Sequence, residues 1–205
     1  MAICYSRSRI FYDGDFMREL EEKIAREAEV LPGGVLKVGT FLNQQIDIAM
    51  LKNMAQEVKR LFQAEQVDKV LTVEASGIAF ATAVALEMGV PMVFAKKHPS
   101  ANVSGEQYHA PVYSFTHNKT YDIAVSKPYI KAGERVLIAD DFLANGNALK
   151  GLIDIVGQAQ ATVVGCVAEI EKGFQGGGDG LRAMGYKVES LAIVESMDDG
   201  KIIFR

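Results

Sequence analysis

Apolar residues follow two different spacings along this chain, and the two alternate. Residues 136–139 form a continuous apolar run, as expected of a strand covered on both faces. Soon afterwards, apolar residues recur at helical spacing. Repeated along the chain, this succession predicts strands at residues 69–73, 92–95, 135–139 and 162–170, and helices at residues 78–88 and 147–158. Such alternation produces right-handed crossovers, so we expect an α/β fold with a central, mostly parallel twisted sheet flanked by helices.

The segments before the first of these strands carry two further patterns. Residues 35–38 predict a short strand, and residues 48–62 predict a strongly amphipathic helix with Asp47 as its N-cap. Residues 1–16 lack the apolar stretch of a secretory signal, and we interpret them as an extension outside the core. Residues 17–205 are then expected to form a single domain.

Composition narrows the class of protein. A chain of 205 residues with 49% hydrophobic content can bury one sizeable core. A net charge of -4, without an extended basic block, argues against a surface built to bind nucleic acid. The apolar runs are too short to span a bilayer, so we expect no membrane partner. Cys4 and Cys166 make no disulfide framework, which favours the reducing cytoplasm.

A polar, turn-rich stretch lies between the predicted strands at 92–95 and 135–139. Within it, residues 111–115 and 121–125 could pair as an antiparallel flap. A connection of this length usually has a function, and closure over a substrate would exclude water. The chain's three histidines lie in this stretch, and we assign them no catalytic or metal-binding role.

Two adjacent carboxylates, Asp140 and Asp141, come directly after the predicted strand at 135–139. Small or conformationally tolerant residues then lead into the next helix: Ala144, Asn145, Gly146, Asn147 and Ala148. Backbone N–H groups in such a turn can converge on an anion at the start of the helix. Carboxylates beside a bound phosphate make electrostatic sense when they face hydroxyl groups or a bridging cation, so the motif predicts a ribose phosphate with Mg2+.

A second strand exit, at Glu74, continues through Ala75, Ser76 and Gly77 into a predicted helix. These small residues allow close approach of backbone to a ligand, and we interpret the turn as a diphosphate-binding loop. Two lysines, Lys96 and Lys97, follow the next predicted strand, where they could neutralise a diphosphate, reach across a subunit boundary or simply be solvated, and we take Lys96 as the candidate for the donor site.

Lys172 and Phe174 follow the fourth predicted strand and are candidates for recognising a base. Lysine only donates hydrogen bonds, so it can satisfy an exocyclic oxygen but opposes the amino group of adenine. The alternative is that Lys172 pairs with Glu169 or Glu171 on the surface. Since ligands of parallel sheets gather beyond the carboxyl ends of the strands, we expect Glu171 and the other post-strand residues to share one cleft.

Seven segments carry a resemblance to a known family: residues 36–38, 41–47, 74–78, 94–98, 112–116, 140–146 and 171–172. Together they resemble the type I purine phosphoribosyltransferases, and among these the bacterial enzymes that act on xanthine. The resemblance extends from about residue 17 to the C-terminus. It implies that a small hood, built from N- and C-terminal segments, and a mobile flap accompany the sheet.

For the donor, the resemblance implies 5-phosphoribosyl diphosphate, with Mg2+ bound to the donor and no direct metal ligand from the protein. Asp140 and Asp141 would face the ribose hydroxyls, and residues 144–148 would wrap the 5'-phosphate. Ser76 and Gly77 would hold the diphosphate. This loop often contains a non-proline cis peptide bond in the family, so one is expected at Ala75 or Ser76.

For the acceptor, the resemblance implies contacts of xanthine with Asn43, Lys172 and Leu36, the last through its backbone. The reaction would join N9 of xanthine to C1 of the donor, and it would form xanthosine 5'-monophosphate and diphosphate in purine salvage. The resemblance also implies a cytoplasmic homodimer.

Two alternatives stay open at this stage. A hypoxanthine-guanine enzyme would share most of these residues, because xanthine and guanine differ chiefly at C2. A transcription regulator that senses the donor without turning it over would need a DNA-binding module. The sixteen residues before Met17 are too few for a winged helix, and the net charge is negative.

Overall fold

The computed structural model describes residues 16–97, 105–114, 119–198 and 201–205. In chain order the helices and strands are α1 (Phe16–Glu27), β1 (Glu29–Leu31), β2 (Val35–Lys37), α2 (Ile48–Leu61), β3 (Lys69–Val73), α3 (Gly77–Met88), β4 (Met92–Ala95), β5 (Gln107–Ser114), β6 (Lys119–Ser126), β7 (Arg135–Leu143), α4 (Asn147–Gln158), β8 (Thr162–Lys172), α5 (Gly177–Ala183), β9 (Val188–Ser196) and β10 (Ile203–Phe204). A π-helical turn, Gly39–Asn43, precedes α2.

A six-stranded sheet in the order β10-β9-β8-β7-β3-β4 forms the centre of the fold. Five of its strands run parallel, and β10 joins the edge antiparallel to β9. Two hairpins, β1-β2 and β5-β6, stand apart from this sheet. The fold is therefore the α/β sheet that the alternation of strands and helices predicts.

Two apolar clusters cover the two faces of the sheet. Successive residues of a strand point to opposite faces, and accordingly Leu137 belongs to one cluster and Ile138 to the other. Helices α1, α2 and α3 pack on the first face, whereas α4 and the β5-β6 hairpin pack on the second. Both faces are covered, which explains why the parallel strands read as continuous apolar runs.

Most predicted elements agree closely with the structure. The strands at 69–73 and 92–95 and the helix at 147–158 have the predicted bounds. The Asp47 side chain caps α2 by accepting a hydrogen bond from the Met50 backbone N–H at 3.1 Å. The antiparallel flap hairpin is confirmed as β5-β6 and is longer than predicted. The rest of the predicted flap, residues 98–104 and 115–118, lies outside the described residues, as do residues 1–15.

Two strand ends differ from the prediction. Strand β7 continues past Ala139 to Leu143, and β8 continues past Ile170 to Lys172. Apolar pattern alone ends both strands too early, because pairing depends on backbone hydrogen bonds and continues through polar residues. Asp140 pairs with Ala168 in this extension. The two acids therefore lie within the strand and are held by its register.

The final third of the chain adds elements that the pattern did not reveal. Strand β9 extends the sheet parallel to β8, β10 closes its edge, and the short helix α5 lies between β8 and β9. None of the described helices is long and apolar enough to cross a membrane.

Candidate active site

One cavity of about 670 Å³ opens at the carboxyl ends of β3 and β7. Its walls come from the turn after β3, the two acids of β7, the turn that leads into α4 and the β5-β6 hairpin. The β1-β2 turn and the end of β8 close the remaining side. Parallel strands that end at the same edge thus bring most of the predicted site residues into one space.

Asp140 and Asp141 form the floor of the cavity. Asp140 is only 4% exposed, and its Oδ1 accepts a hydrogen bond from the Asp141 backbone N–H at 3.1 Å. Asn43, at the end of the π-helical turn, points its amide Nδ2 at Asp141 Oδ2 at 3.4 Å. The structure therefore brings one residue predicted to contact the base within hydrogen-bonding distance of the acids.

Burial dominates the electrostatics of these acids. It raises the pKa of Asp140 well above the ordinary value of 3.8, and the neighbouring charge of Asp141 raises it further. Burial likewise raises the pKa of Asp141 and, in β8, the pKa of Glu169. Because three carboxyl groups share a space with little water, their negative charge is costly until a ligand supplies hydroxyl donors or a cation.

The phosphate-loop candidates Ala144 to Ala148 all line the cavity at the start of α4. The Asn147 side chain donates to the Tyr113 carbonyl at 3.1 Å, which ties the helix start to the hairpin. Behind the loop, the Gly177 N–H donates to the Ala144 carbonyl at 3.1 Å. A Cβ on Gly177 would collide with that carbonyl, so α5 can support the loop only with glycine at this position.

The turn after β3 forms the opposite wall. Its peptide bond between Glu74 and Ala75 is cis, as expected for this loop. Ser76 lines the cavity, whereas Gly77 is buried at the first turn of α3. A Cβ on Gly77 would collide with the Thr72 hydroxyl and would lie 2.8 Å from Asp140 Oδ1, so this position admits only glycine.

At this wall the cation that faces the cavity is Lys97, not the predicted Lys96. Lys97 lines the cavity, and its backbone N–H donates to Glu74 Oε1 at 2.7 Å. Lys96 is absent from the described lining, and its N–H and carbonyl each pair with Ala124 at 2.9 Å. Side chains alternate along an extended segment, so only one of two adjacent lysines faces the cavity.

Lys172 closes the cavity at the end of β8. Its Nζ donates to the Gly34 carbonyl at 2.9 Å and lies 5.4 Å from the centroid of the Phe142 ring. Burial lowers the pKa of Lys172. Leu36 is buried in β2, and the two residues before it, Gly34 and Val35, line the cavity.

Glu171 does not share the cleft, contrary to our expectation. It is fully buried within β8, where Arg182 donates to both of its carboxylate oxygens at 3.0 and 2.7 Å. The Ser190 hydroxyl donates to the same carboxylate at 2.6 Å. Glu171 was expected in the cleft because the predicted strand ended at residue 170, whereas β8 continues to Lys172. Phe174 also lies outside the described lining and instead contacts the β1-β2 turn.

Three side chains near the cavity were missed by the sequence reasoning: Thr72, Phe142 and Glu169. Phe142 directly follows the acid pair, and this position in the sequence was the one available indication that its side chain lies near the site. Thr72 and Glu169 lie inside runs that read as ordinary buried strand. Nothing in a single sequence separates them from core positions.

Comparison with known proteins agrees with this geometry. Residues 38–178 match the family model described as the phosphoribosyl transferase domain. Among solved structures, the fold is similar to adenine phosphoribosyltransferases from Giardia lamblia (TM-score 0.73, 20% identity, 88% of this chain and 98% of that one) and Saccharomyces cerevisiae (TM-score 0.70, 21% identity, 87% and 99%). The chain belongs to the phosphoribosyltransferase family.

Curated relatives narrow the group within that family. The chain is 54% identical to xanthine phosphoribosyltransferase from Bifidobacterium adolescentis, over 92% of this chain and 100% of that protein. It is 52% identical to the protein of that name from Lachnoclostridium phytofermentans, over 92% and 98%, and 50% identical to the one from Clostridioides difficile, over 92% and 100%. Within the family, it groups with the bacterial xanthine phosphoribosyltransferases.

Proposed function

We propose that the protein transfers the 5-phosphoribosyl group from 5-phosphoribosyl diphosphate to N9 of xanthine, and that this forms xanthosine 5'-monophosphate and diphosphate for purine salvage. One observation carries the proposal: the acid pair and the loop 144–148 line a single cavity in a chain about half identical to xanthine phosphoribosyltransferases.

The donor occupies the centre of the cavity in this proposal. Asp140 and Asp141 accept hydrogen bonds from the ribose hydroxyls, which compensates their buried charge. The loop 144–148 binds the 5'-phosphate through its backbone N–H groups at the start of α4, where the helix dipole favours an anion. Ser76 and the turn after β3 hold the diphosphate, and Gly77 allows the backbone to approach it.

Positive charge for the diphosphate comes from two sources. The first is Lys97, which faces the cavity, and the second is Mg2+ bound with the donor. Mg2+ fits the site as a partner of the donor, because the buried carboxyl groups of Asp140 and Asp141 at the cavity floor would otherwise repel the anionic diphosphate. Bound in this way, Mg2+ supplies charge neutralisation at the departing diphosphate.

The base occupies the end of the cavity between β2 and β8. Lys172 donates to an exocyclic oxygen of xanthine, Asn43 contacts the ring edge, and backbone groups near Leu36 complete the contacts. Phe142 offers an apolar ring beside the Lys172 ammonium, at 5.4 Å. A lysine donor at this position favours oxopurines over adenine.

Rate enhancement in this site needs no covalent nucleophile. The diphosphate is a good leaving group, so the residues act by holding xanthine N9 below C1 of the ribose and by stabilising separated charge in the transition state. Tyr113 and Tyr121 from the β5-β6 hairpin line the cavity and shield the reacting centre from water.

The choice of base is the direct test. Diphosphate release, measured with xanthine, guanine, hypoxanthine and adenine under the same conditions, is expected to be fastest with xanthine and at least about tenfold slower with adenine, whose amino group meets a donor. Equal rates with xanthine and adenine would overturn the base assignment. A preference for hypoxanthine or guanine would favour the alternative enzyme class.

We further propose that residues 17–205 form the catalytic domain and that the preceding residues are dispensable. Because α1 begins at Phe16, the variant to make lacks residues 1–15. Its kcat and KM are expected to stay within about twofold of those of the full chain, as is usual for a terminus outside the core. A collapse of the rate would assign the extension a role in catalysis.

We propose a cytoplasmic homodimer. Large apolar side chains stay exposed on the isolated chain, among them Leu86 at 78% on α3 and Phe94 at 37% on the neighbouring strand β4. Burial of such side chains between subunits would be favourable. Cys166 is a free, buried thiol, consistent with a reducing compartment.

A further inference from the structure

The hydroxyl of Thr72 is buried and has no hydrogen-bond partner in the part of the chain that the structure describes. Thr72 is fully buried in the middle of β3, and its Oγ1 has no partner among the described residues. An unsatisfied buried hydroxyl is destabilising, and valine has nearly the same shape without the hydroxyl. Packing alone therefore gives no reason for threonine at this position.

The same hydroxyl borders the buried carboxyl group of Asp140. Strands β3 and β7 are parallel neighbours, with Leu71 opposite Ile138, so Thr72 and Asp140 lie near the same end of the pair. Both oxygens border one small space beside Gly77, since a Cβ on that glycine would collide with the two of them. Because Gly77 has no side chain, this space stays open to both the hydroxyl and the carboxyl group.

We propose that Thr72 is a positioning residue for the reaction: when the donor binds, its hydroxyl donates a hydrogen bond to Asp140 Oδ1. This holds the carboxylate so that Oδ2 faces a ribose hydroxyl. The inference rests on the proposed function, because it takes Asp140 to be the acid that binds the ribose.

A hydrogen bond from Thr72 to Asp140 would matter because the charged form of this carboxyl group is disfavoured by burial. Burial raises the pKa of Asp140, so the empty site disfavours its charged form. Hydrogen bonds to a carboxylate favour the charged form, and the Asp141 backbone N–H already supplies one at 3.1 Å. A second donor from Thr72 would support the ionised carboxylate that the ribose hydroxyls require.

Thr72→Val tests the proposal, because it separates stability from activity. A positioning role predicts that the variant loses activity without losing stability, whereas a packing role predicts that it loses stability. The variant is expected to have a Tm equal to or above that of the wild type, since it removes an unsatisfied buried group. Its kcat/KM for 5-phosphoribosyl diphosphate is expected to fall about tenfold to hundredfold, the range for a hydrogen bond to a charged group. The KM for xanthine should change little.

Two further variants complete the experiment. Thr72→Ser keeps the hydroxyl and is expected to retain most of the activity. Thr162→Val makes the same substitution at an exposed position at the start of β8, remote from the cavity, and is expected to leave kinetics unchanged.

Three results would overturn the role of Thr72: unchanged donor kinetics in Thr72→Val, equal loss in Thr72→Ser, or a clear drop in the Tm of Thr72→Val. Failure of the proposed function is distinguishable, because the wild-type protein itself would then show no diphosphate release with donor, Mg2+ and xanthine.

Discussion

The double variant Asp140→Asn, Asp141→Asn is expected to lose turnover while keeping its fold. Asparagine retains the size of each side chain but removes the negative charge that strengthens a hydrogen bond from a ribose hydroxyl. Each such bond is worth about 1.5–3 kcal/mol, so the loss of two lowers kcat/KM about a hundredfold to ten-thousandfold. Steady-state diphosphate release, with circular dichroism for the fold, measures both parts of the expectation.

The difference in stability between this variant and the wild type is expected to depend on pH. Burial raises the pKa of Asp140 above 3.8, so the folded protein holds this proton more tightly than the unfolded chain does. The stability contributed by this proton is complete below pH 3.8 and is lost as the pH rises through the raised pKa. Asparagine does not titrate. The Tm of the variant, relative to wild type, should therefore increase with pH above 3.8.

A matched control shows whether the loss of activity is specific to the acid pair or follows the removal of any aspartate. Asp154 lies on the exposed part of α4 near Gln158, and Asp154→Asn is expected to have wild-type kinetics. A fully active Asp140/Asp141 double variant would remove the basis for placing the ribose at this pair. A Tm that falls sharply in the double variant would instead give the acids a structural role.

Much of the fold could be predicted because both faces of the sheet are covered. Strands β3 and β4 are short apolar runs bounded by polar residues, so their limits are visible in the sequence. Helix α4 has one apolar face and begins at the small residues of the phosphate loop. Strands β7 and β8 extend beyond their apolar runs because each pairs with the other, and a pattern within one segment does not contain that pairing.

The candidate site was predictable where one short motif contains it. Asp140, Asp141 and the loop 144–148 are close in sequence, and the strand-to-helix connection fixes their geometry. Residues that are distant in sequence and come together only in the folded sheet were harder to predict. Glu171 looked like a cleft residue, yet Arg182, eleven positions later, holds its carboxylate. Which of two adjacent lysines faces the cavity depends on the register of the β4 extension, and that register is a tertiary property.

The contact between the β1-β2 turn and the sheet also depends on tertiary structure. Gly34 and Lys172 are 138 positions apart, and the hydrogen bond between them brings the β1-β2 turn to the end of β8. Sequence spacing left open whether Lys172 recognises the base or pairs with Glu169 or Glu171 on the surface. The structure instead directs Glu171 to Arg182 and Lys172 to a backbone carbonyl. Among the described residues, the ammonium donates to this one carbonyl, so two of its three donor positions are left for a ligand.

Lys172→Met is expected to weaken xanthine use selectively. Methionine keeps an unbranched, apolar side chain against Phe142 and removes the donor that meets the exocyclic oxygen. A hydrogen bond to a charged group is worth about 1.5–3 kcal/mol, so kcat/KM for xanthine should fall about tenfold to 150-fold. The KM for 5-phosphoribosyl diphosphate should change little. Discrimination against adenine should shrink, because the opposing donor has gone.

Lys37→Met is the matched control for this change. Lys37 lies in the β1-β2 hairpin, whose turn Lys172 contacts, but its side chain is 63% exposed and pairs with Glu29 at 3.2 Å. Exposed pairs of this kind contribute about 0–1 kcal/mol, so its kinetics should match the wild type. If both variants lost activity equally, general damage to the β1-β2 hairpin and its contact with β8 would explain the loss. If Lys172→Met kept its preference for xanthine over adenine, another donor would have to recognise the base, and Asn43, whose Nδ2 lies 3.4 Å from Asp141 Oδ2, is the next candidate.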